Sequence, residues 1–180
     1  TAVGDIAIAD GRIAQLGPPG AFTDAVASEA ILNAAGLHVL PGVIDSHVHF
    51  REPGRETAED FETGSRGAAL GGVTTVFDMP NTNPPVLDRA TLAAKMELVS
   101  RHSWTDFALY VSADGENLSE LPALETMPGV CGVKVFMASS TSDLMIRDPA
   151  ALAAIMGCGR RIISIHAEDE DRIQARQHIA

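Results

Sequence analysis

The stretch "GVIDSHVHFREPG", residues 42–54, places two histidines one residue apart at the end of an apolar run. An arginine and then Glu-Pro-Gly follow. In an extended chain, side chains at i and i+2 leave the same face. His47 and His49 can then converge on one metal ion. The other reading is a pair of strand histidines satisfied by backbone carbonyls. A metal site gains much more from this spacing than packing does.

Outward from this stretch the rhythm is strand, helix, strand. "TAEDFETGSRGAAL" reads as a helix with Thr57 at its N-cap and Gly71-Gly72 as its stop. "VTTVFDMP" is β-branched and strand-like. "LDRATLAAKMELVSRH" is a helix and "TDFALYVSA" a strand. "LSELPALETM" is a weaker helix interrupted at Pro122, and "VCGVKVFMA" is a strand. "DPAALAAIMGCG" is a helix capped by Asp148 with Pro149 at its first position. "RIISIHAED" is a strand, and "EDRIQARQHIA" begins a last helix.

Five repeats of strand and helix predict an α/β protein with a parallel sheet, either doubly wound or a (β/α)8 barrel. His47, His49, Asp78, Asn81, Lys134 and His166 all fall at or just beyond strand C-terminal ends, which converge on one mouth in a barrel. No glycine-rich nucleotide motif is present. The barrel is therefore the expected fold. It needs eight strands and about 250 residues. With about five strands in hand, the chain reads as the N-terminal part of a longer one.

Residues 3–16 predict a β-hairpin turning at Asp10-Gly11. "LGPPGAFTDA" reads as a loop and "LHVLPG" as another extended piece. Residues 1–40 are thus expected to form part of a small β-rich domain, and residues 41–180 part of the barrel.

The 180 residues carry a formal net charge of −11, which disfavours a nucleic-acid partner. No apolar run approaches the ~20 residues of a membrane-spanning helix, and the N-terminus has no signal-peptide pattern. Cys131 and Cys158 lack any metal-type spacing and read as free thiols of a cytoplasmic protein.

Other residues bear chemistry. His166 closes the strand "IISIH" and is a candidate third imidazole. Lys134 lies in "GVKVF", a strand apolar on both faces, where a bare ammonium is expensive to bury. It snorkels to the mouth, pairs with an acid, or reacts with CO2 to give a carbamate, an anionic oxygen ligand able to bridge two metal ions. Arg51 can dock a substrate carboxylate, or can pair with Glu52 or Glu56 on the surface. Asn81 offers a donor and an acceptor, or forms a turn. Asp45 is a candidate acceptor behind the histidines. Asp78 can merely cap a turn.

Together "DGRIAQLG", "PGVIDSHVHFREPG", "GGVTTVFDMPNTNP", "GVKVFMASST" and "IHAEDE" resemble, in order, the amidohydrolase superfamily and within it the dihydroorotases. The resemblance implies a metal-dependent barrel with a β-sandwich built from both chain ends. It implies zinc, one or two ions, with His47, His49 and His166 as ligands and a carboxylated Lys134 as bridge. It places Arg51 and Asn81 on the substrate carboxylate. It also implies a later histidine ligand and a proton-shuttle aspartate, neither found here; His178 follows His166 too closely to be that ligand. The implied reaction is reversible ring opening of L-dihydroorotate to N-carbamoyl-L-aspartate by metal-activated hydroxide, in pyrimidine synthesis. A cytoplasmic homo-oligomer acting on a small molecule is expected. Allantoinase and dihydropyrimidinase or hydantoinase are the nearest alternatives. Their substrates lack the ring carboxylate, so Arg51 has less to do. A non-catalytic dihydroorotase-like scaffold is the alternative of another class.

Overall fold

The computed structural model describes residues 2–22, 30–139 and 144–179. The chain divides into two compact units, Thr1–Pro41 and Gly42–Ala180. In the first, β1 (Asp5–Ala9) and β2 (Arg12–Gly17) pair antiparallel. Asp10 and Gly11 turn the chain with φ of 51° and 71°. Both residue types tolerate this left-handed region. The extended piece expected at "LHVLPG", residues 37–42, joins no ladder. Residues 23–25 of the expected loop lie outside the described residues, as do Ser140 and Thr141 at the end of "GVKVFMASST".

The second unit is a five-stranded sheet of β3 (Val43–Val48), β4 (Val73–Asp78), β5 (Asp106–Ser112), β6 (Val130–Phe136) and β7 (Ile162–His166). Every pairing is parallel, and the strands lie in chain order without a reversal. A doubly wound sheet would reverse its order at the ligand crevice. Uninterrupted order is that of a barrel wall.

Helices α1 (Phe61–Leu70), α2 (Arg89–His102), α3 (Leu121–Leu124) and α4 (Pro149–Cys158) fill the crossovers, and α5 (Glu170–Arg176) follows β7. The first helix begins later than the sequence suggests. Asp60, not Thr57, is its N-cap, accepting from Thr63 N at 2.8 Å. The buried Glu52 carboxylate accepts from Phe61 N at 2.8 Å. Two acceptors for first-turn donors fix the start at Phe61. Asp88 and Thr91 form a reciprocal capping box at α2. Pro122 does not interrupt a longer helix. It sits in the first turn of α3, where no N–H is needed, and that helix is a single turn.

The core lies between sheet and helices. Val76, Leu109, Val111, Val133 and Val135 from the strands meet Phe61, Leu92, Val99, Leu121 and Ile155 from the helices. That burial leaves the strand ends rigidly placed, so the polar residues there sit on a fixed frame.

Candidate metal centre

His47 and His49 straddle the end of β3. The ladder with β4 slips between Asp45 and Val48, a bulge of the kind that re-aims side chains at functional rims. The two imidazoles lie 5.3 Å apart between ring centroids. Asp45 Oδ1 accepts from His47 N at 3.1 Å, so Asp45 steadies the backbone.

His49 is half-buried, and its Nδ1 donates to Asn81 Oδ1 at 2.9 Å. With a carbonyl oxygen as acceptor, Nδ1 carries the hydrogen and Nε2 keeps its lone pair. Burial, then the Arg51 charge, lowers the His49 pKa to about 4, with smaller contributions from His47 and Lys134. Burial, then the charge of Lys134, also lowers the His47 pKa. Both rings are held in the neutral, metal-binding form.

Lys134 is a fully enclosed side chain, 2% exposed, near the end of β6. Its Nζ lies 5.0 Å from the Phe136 ring centroid. Among the described residues no carboxylate is within ion-pair distance of it, and burial lowers its pKa. The alternative in which it pairs with an acid is thus not seen among those residues. Ser112 is its partner in the β5–β6 register and shares its face. The Ser112 hydroxyl is buried with no hydrogen-bond partner. The orphaned hydroxyl leaves unmet polar capacity at this point of the β5–β6 register.

His166 closes β7, its Nε2 2.8 Å from Glu168 Oε2, and its charge contributes to the lowering at His47. No three His, Cys, Asp or Glu side chains gather closely enough to hold an ion among the described residues. His47, His49 and His166 stand at or just beyond the C-terminal ends of β3 and β7, and the charges of Lys134 and His166 both act on His47. Neutral imidazoles, an amine with no carboxylate partner among the described residues and an orphaned hydroxyl would fit a metal with a carboxylated lysine.

Arg51 follows in the left-handed region, φ 53°, and is half-buried. Neither expected surface partner takes it. Glu52 is engaged by Phe61 N and lies 3.4 Å from His102 Nδ1, and Glu56 Oε1 accepts from Gly54 N at 2.6 Å. Asn83 N donates to Pro53 O at 3.0 Å, tying the arginine loop to the "MPNTNP" loop. His178 stands in a short 3-10 turn, Gln177–Ile179, exposed.

Asp78 does more than cap a turn. It is fully buried, and its Oδ2 lies 2.5 Å from Lys95 Nζ of α2. Its Oδ1 accepts from Phe50 N at 3.0 Å. Burial pushes the Asp78 carboxyl up and the Lys95 ammonium down, and each partner's charge opposes the shift. Sequence reasoning missed Lys95. Its signal was present: with Leu92 and Val99 it forms the buried stripe of α2 at helical spacing.

Parallel order and a strand-end site define the class: this is a stretch of barrel wall from the amidohydrolase superfamily. Residues 36–170 match the dihydro-orotase-like family, and the chain belongs to that family. It is 43% identical over 177 residues to an allantoinase of Solibacter usitatus, covering 93% of this chain and 36% of that protein. It is 39% identical over 169 residues to a dihydroorotase of Methanosarcina mazei, covering 92% of this chain and 36% of that protein. The L-hydantoinase (dihydropyrimidinase) of Arthrobacter aurescens superposes with a TM-score of 0.84 at 32% identity, over 98% of this chain and 39% of that one. The chain thus spans little more than a third of the length of these relatives. No helix of the described residues is long and apolar enough to cross a membrane.

Proposed function

We propose that this chain carries the N-terminal, metal-binding part of a dihydroorotase, the enzyme that opens L-dihydroorotate to N-carbamoyl-L-aspartate in pyrimidine synthesis. Water's oxygen bonds to the ring carbonyl carbon, the carbon–nitrogen bond breaks, and the nitrogen takes a proton. The observation that supports this substrate is Arg51. A guanidinium beside His49, with neither neighbouring carboxylate paired to it, matches a ring bearing a carboxylate. Neither allantoin nor dihydrouracil carries that group.

In this reading His47, His49 and His166 would hold zinc, one or two ions, and a carbamate of Lys134 would be a further oxygen ligand. When bound, the metal supplies Lewis acidity to the ring carbonyl and lowers the pKa of water. The chain's own residues do the rest. Arg51 docks the carboxylate and fixes the ring's register. Asn81 holds the His49 tautomer and serves the carboxylate from the adjoining loop. The neutral Lys134 amine would add its lone pair to the carbon of CO2 and release a proton, and the resulting carbamate would supply anionic oxygens where an ammonium would be expensive.

The test is a substrate comparison on the full-length, zinc-loaded protein. Dihydroorotate, allantoin and dihydrouracil are offered under identical conditions. Preference for dihydroorotate supports the proposal. Preference for either ring without a carboxylate keeps the metal site and discards the substrate. Zinc bound with no turnover on any of the three supports the non-catalytic scaffold.

A further inference from the structure

We infer that Asp78, seated by Lys95, is a positioning residue for the metal-binding histidine His49, its side-chain oxygen acting through the backbone of Phe50. The inference rests on the reading of His49 as a metal ligand. Residue 49 is tethered on three sides by one short segment, 78–81. On its N-terminal side, Val48 O accepts from Met79 N at 2.9 Å. On its C-terminal side, Phe50 N donates to Asp78 Oδ1 at 3.0 Å. At the ring, Nδ1 donates to Asn81 Oδ1 at 2.9 Å.

Lys95 anchors that segment from behind. Its Nζ lies 2.5 Å from Asp78 Oδ2 and donates to Met79 O at 3.1 Å. It therefore reaches both residues whose backbone or side chain brackets His49. The pair is 2% and 0% exposed. A buried ion pair is no more stabilising than an apolar pair of similar volume. An apolar pair could not receive the Phe50 N–H, which would then be a buried donor without a partner. The two Asp78 oxygens divide the work: one meets the lysine, the other fixes the turn carrying His49 and Arg51. Lys95 Nζ holds Asp78 Oδ2 in place. Partners of this kind behind a metal ligand change affinity about 10- to 100-fold when removed.

The experiment uses two double variants of the full-length protein. Lys95→Met with Asp78→Asn removes both charges and keeps an oxygen for Phe50 N–H. Lys95→Met with Asp78→Leu removes the oxygen too. Zinc affinity is measured by chelator competition and folding by thermal melt, alongside wild type and His49→Ala. The Asn variant is expected to hold zinc within about threefold of wild type. The Leu variant is expected to melt below the Asn variant, because one buried N–H loses its acceptor, yet to stay folded and to lose about 10- to 100-fold in affinity. If the Leu variant does not fold, Lys95→Met with Asp78→Ala makes the same deletion in a smaller side chain. Wild-type zinc affinity in that acceptor-free variant, with His49→Ala impaired, overturns the inference. Equal loss in the Asn variant overturns it as well, because the effect would then lie in the charges. Undiminished zinc binding by His49→Ala refutes instead the ligand reading on which the inference stands.

Discussion

At the scale of single residues, this rim sets charges in places where charge is costly. Arg51→Ala removes a charged donor from the proposed carboxylate dock. Such contacts contribute about 1.5–3 kcal/mol, so kcat/KM for dihydroorotate should fall roughly 10- to 100-fold. Zinc content should not change, and unchanged dihydroorotate kinetics would rule out the docking role. Cys131 gives a pH prediction away from the rim. Burial raises its thiol to about 12. At pH 8 its thiolate fraction is about one in ten thousand, so native Cys131 should resist alkylation while the unfolded chain reacts. The raised value means that the folded state holds its proton above the unfolded pKa. Stability should therefore be full below about pH 8.5 and decline from there toward pH 12. Rapid native labelling at pH 8, followed by peptide mapping, would contradict this. The rim residues were legible because each breaks a local rule: imidazoles and an ammonium end apolar strands. Lys95 was not legible as the partner of Asp78, because that contact depends on which helix face meets which strand, 17 residues away.

At the scale of elements, turns and caps decide where the rim residues stand. Gly54 has φ 106°, and a Cβ there would meet Asn83 Cβ at 2.6 Å. Gly54→Ala should cost about 1–3 kcal/mol and move the arginine loop off residue 83. A thermal melt with dihydroorotate KM reads both effects, and an unaltered melt would refute the close approach. Glu125 is a second such element. Its buried carboxylate accepts from Arg160 N at 2.7 Å and Arg161 N at 3.0 Å, tying α3 to the start of β7. Glu125→Ala leaves two donors without that acceptor and should destabilise by about 1–3 kcal/mol for each that stays buried. The denaturation midpoint should fall with little change in slope. The five strands were readable from β-branched runs and helical spacing, because both periods survive in the sequence. Element ends were less so. Thr57 and Asp60 are both good caps, and only the Glu52 carboxylate at Phe61 N, supplied from nine residues away, selects the second. "LHVLPG" looks extended, but an extended segment becomes a strand only where another strand offers a ladder.

At the scale of the whole molecule, the strand order carries the argument for the fold, and it also leaves two open edges. Repetition in the sequence predicts a parallel sheet but not the order of its strands; chain order without reversal is a tertiary fact. Among the described residues β3 pairs only with β4, and β7 only with β6. Both outer strands present apolar side chains to solvent: Val43 is 53% exposed, Ile44 59% and Ile162 73%. In the antiparallel hairpin of the N-terminal unit, Ile8, Ile13 and Leu16 are exposed as well. Unpaired edges with apolar side chains are templates for pairing with another chain. The 180-residue chain produced alone should therefore bind a hydrophobic dye and scatter light increasingly with concentration. A longer protein that closes these edges should do neither. Replacing Val43 and Ile162 with lysine puts charge on both open strands and should reduce association of the 180-residue chain while leaving its circular dichroism unchanged. Multi-angle light scattering checks this directly. A monodisperse monomer from the unsubstituted chain would mean that its open edges do not attract, and association undiminished in the lysine variant would place the attraction elsewhere on its surface.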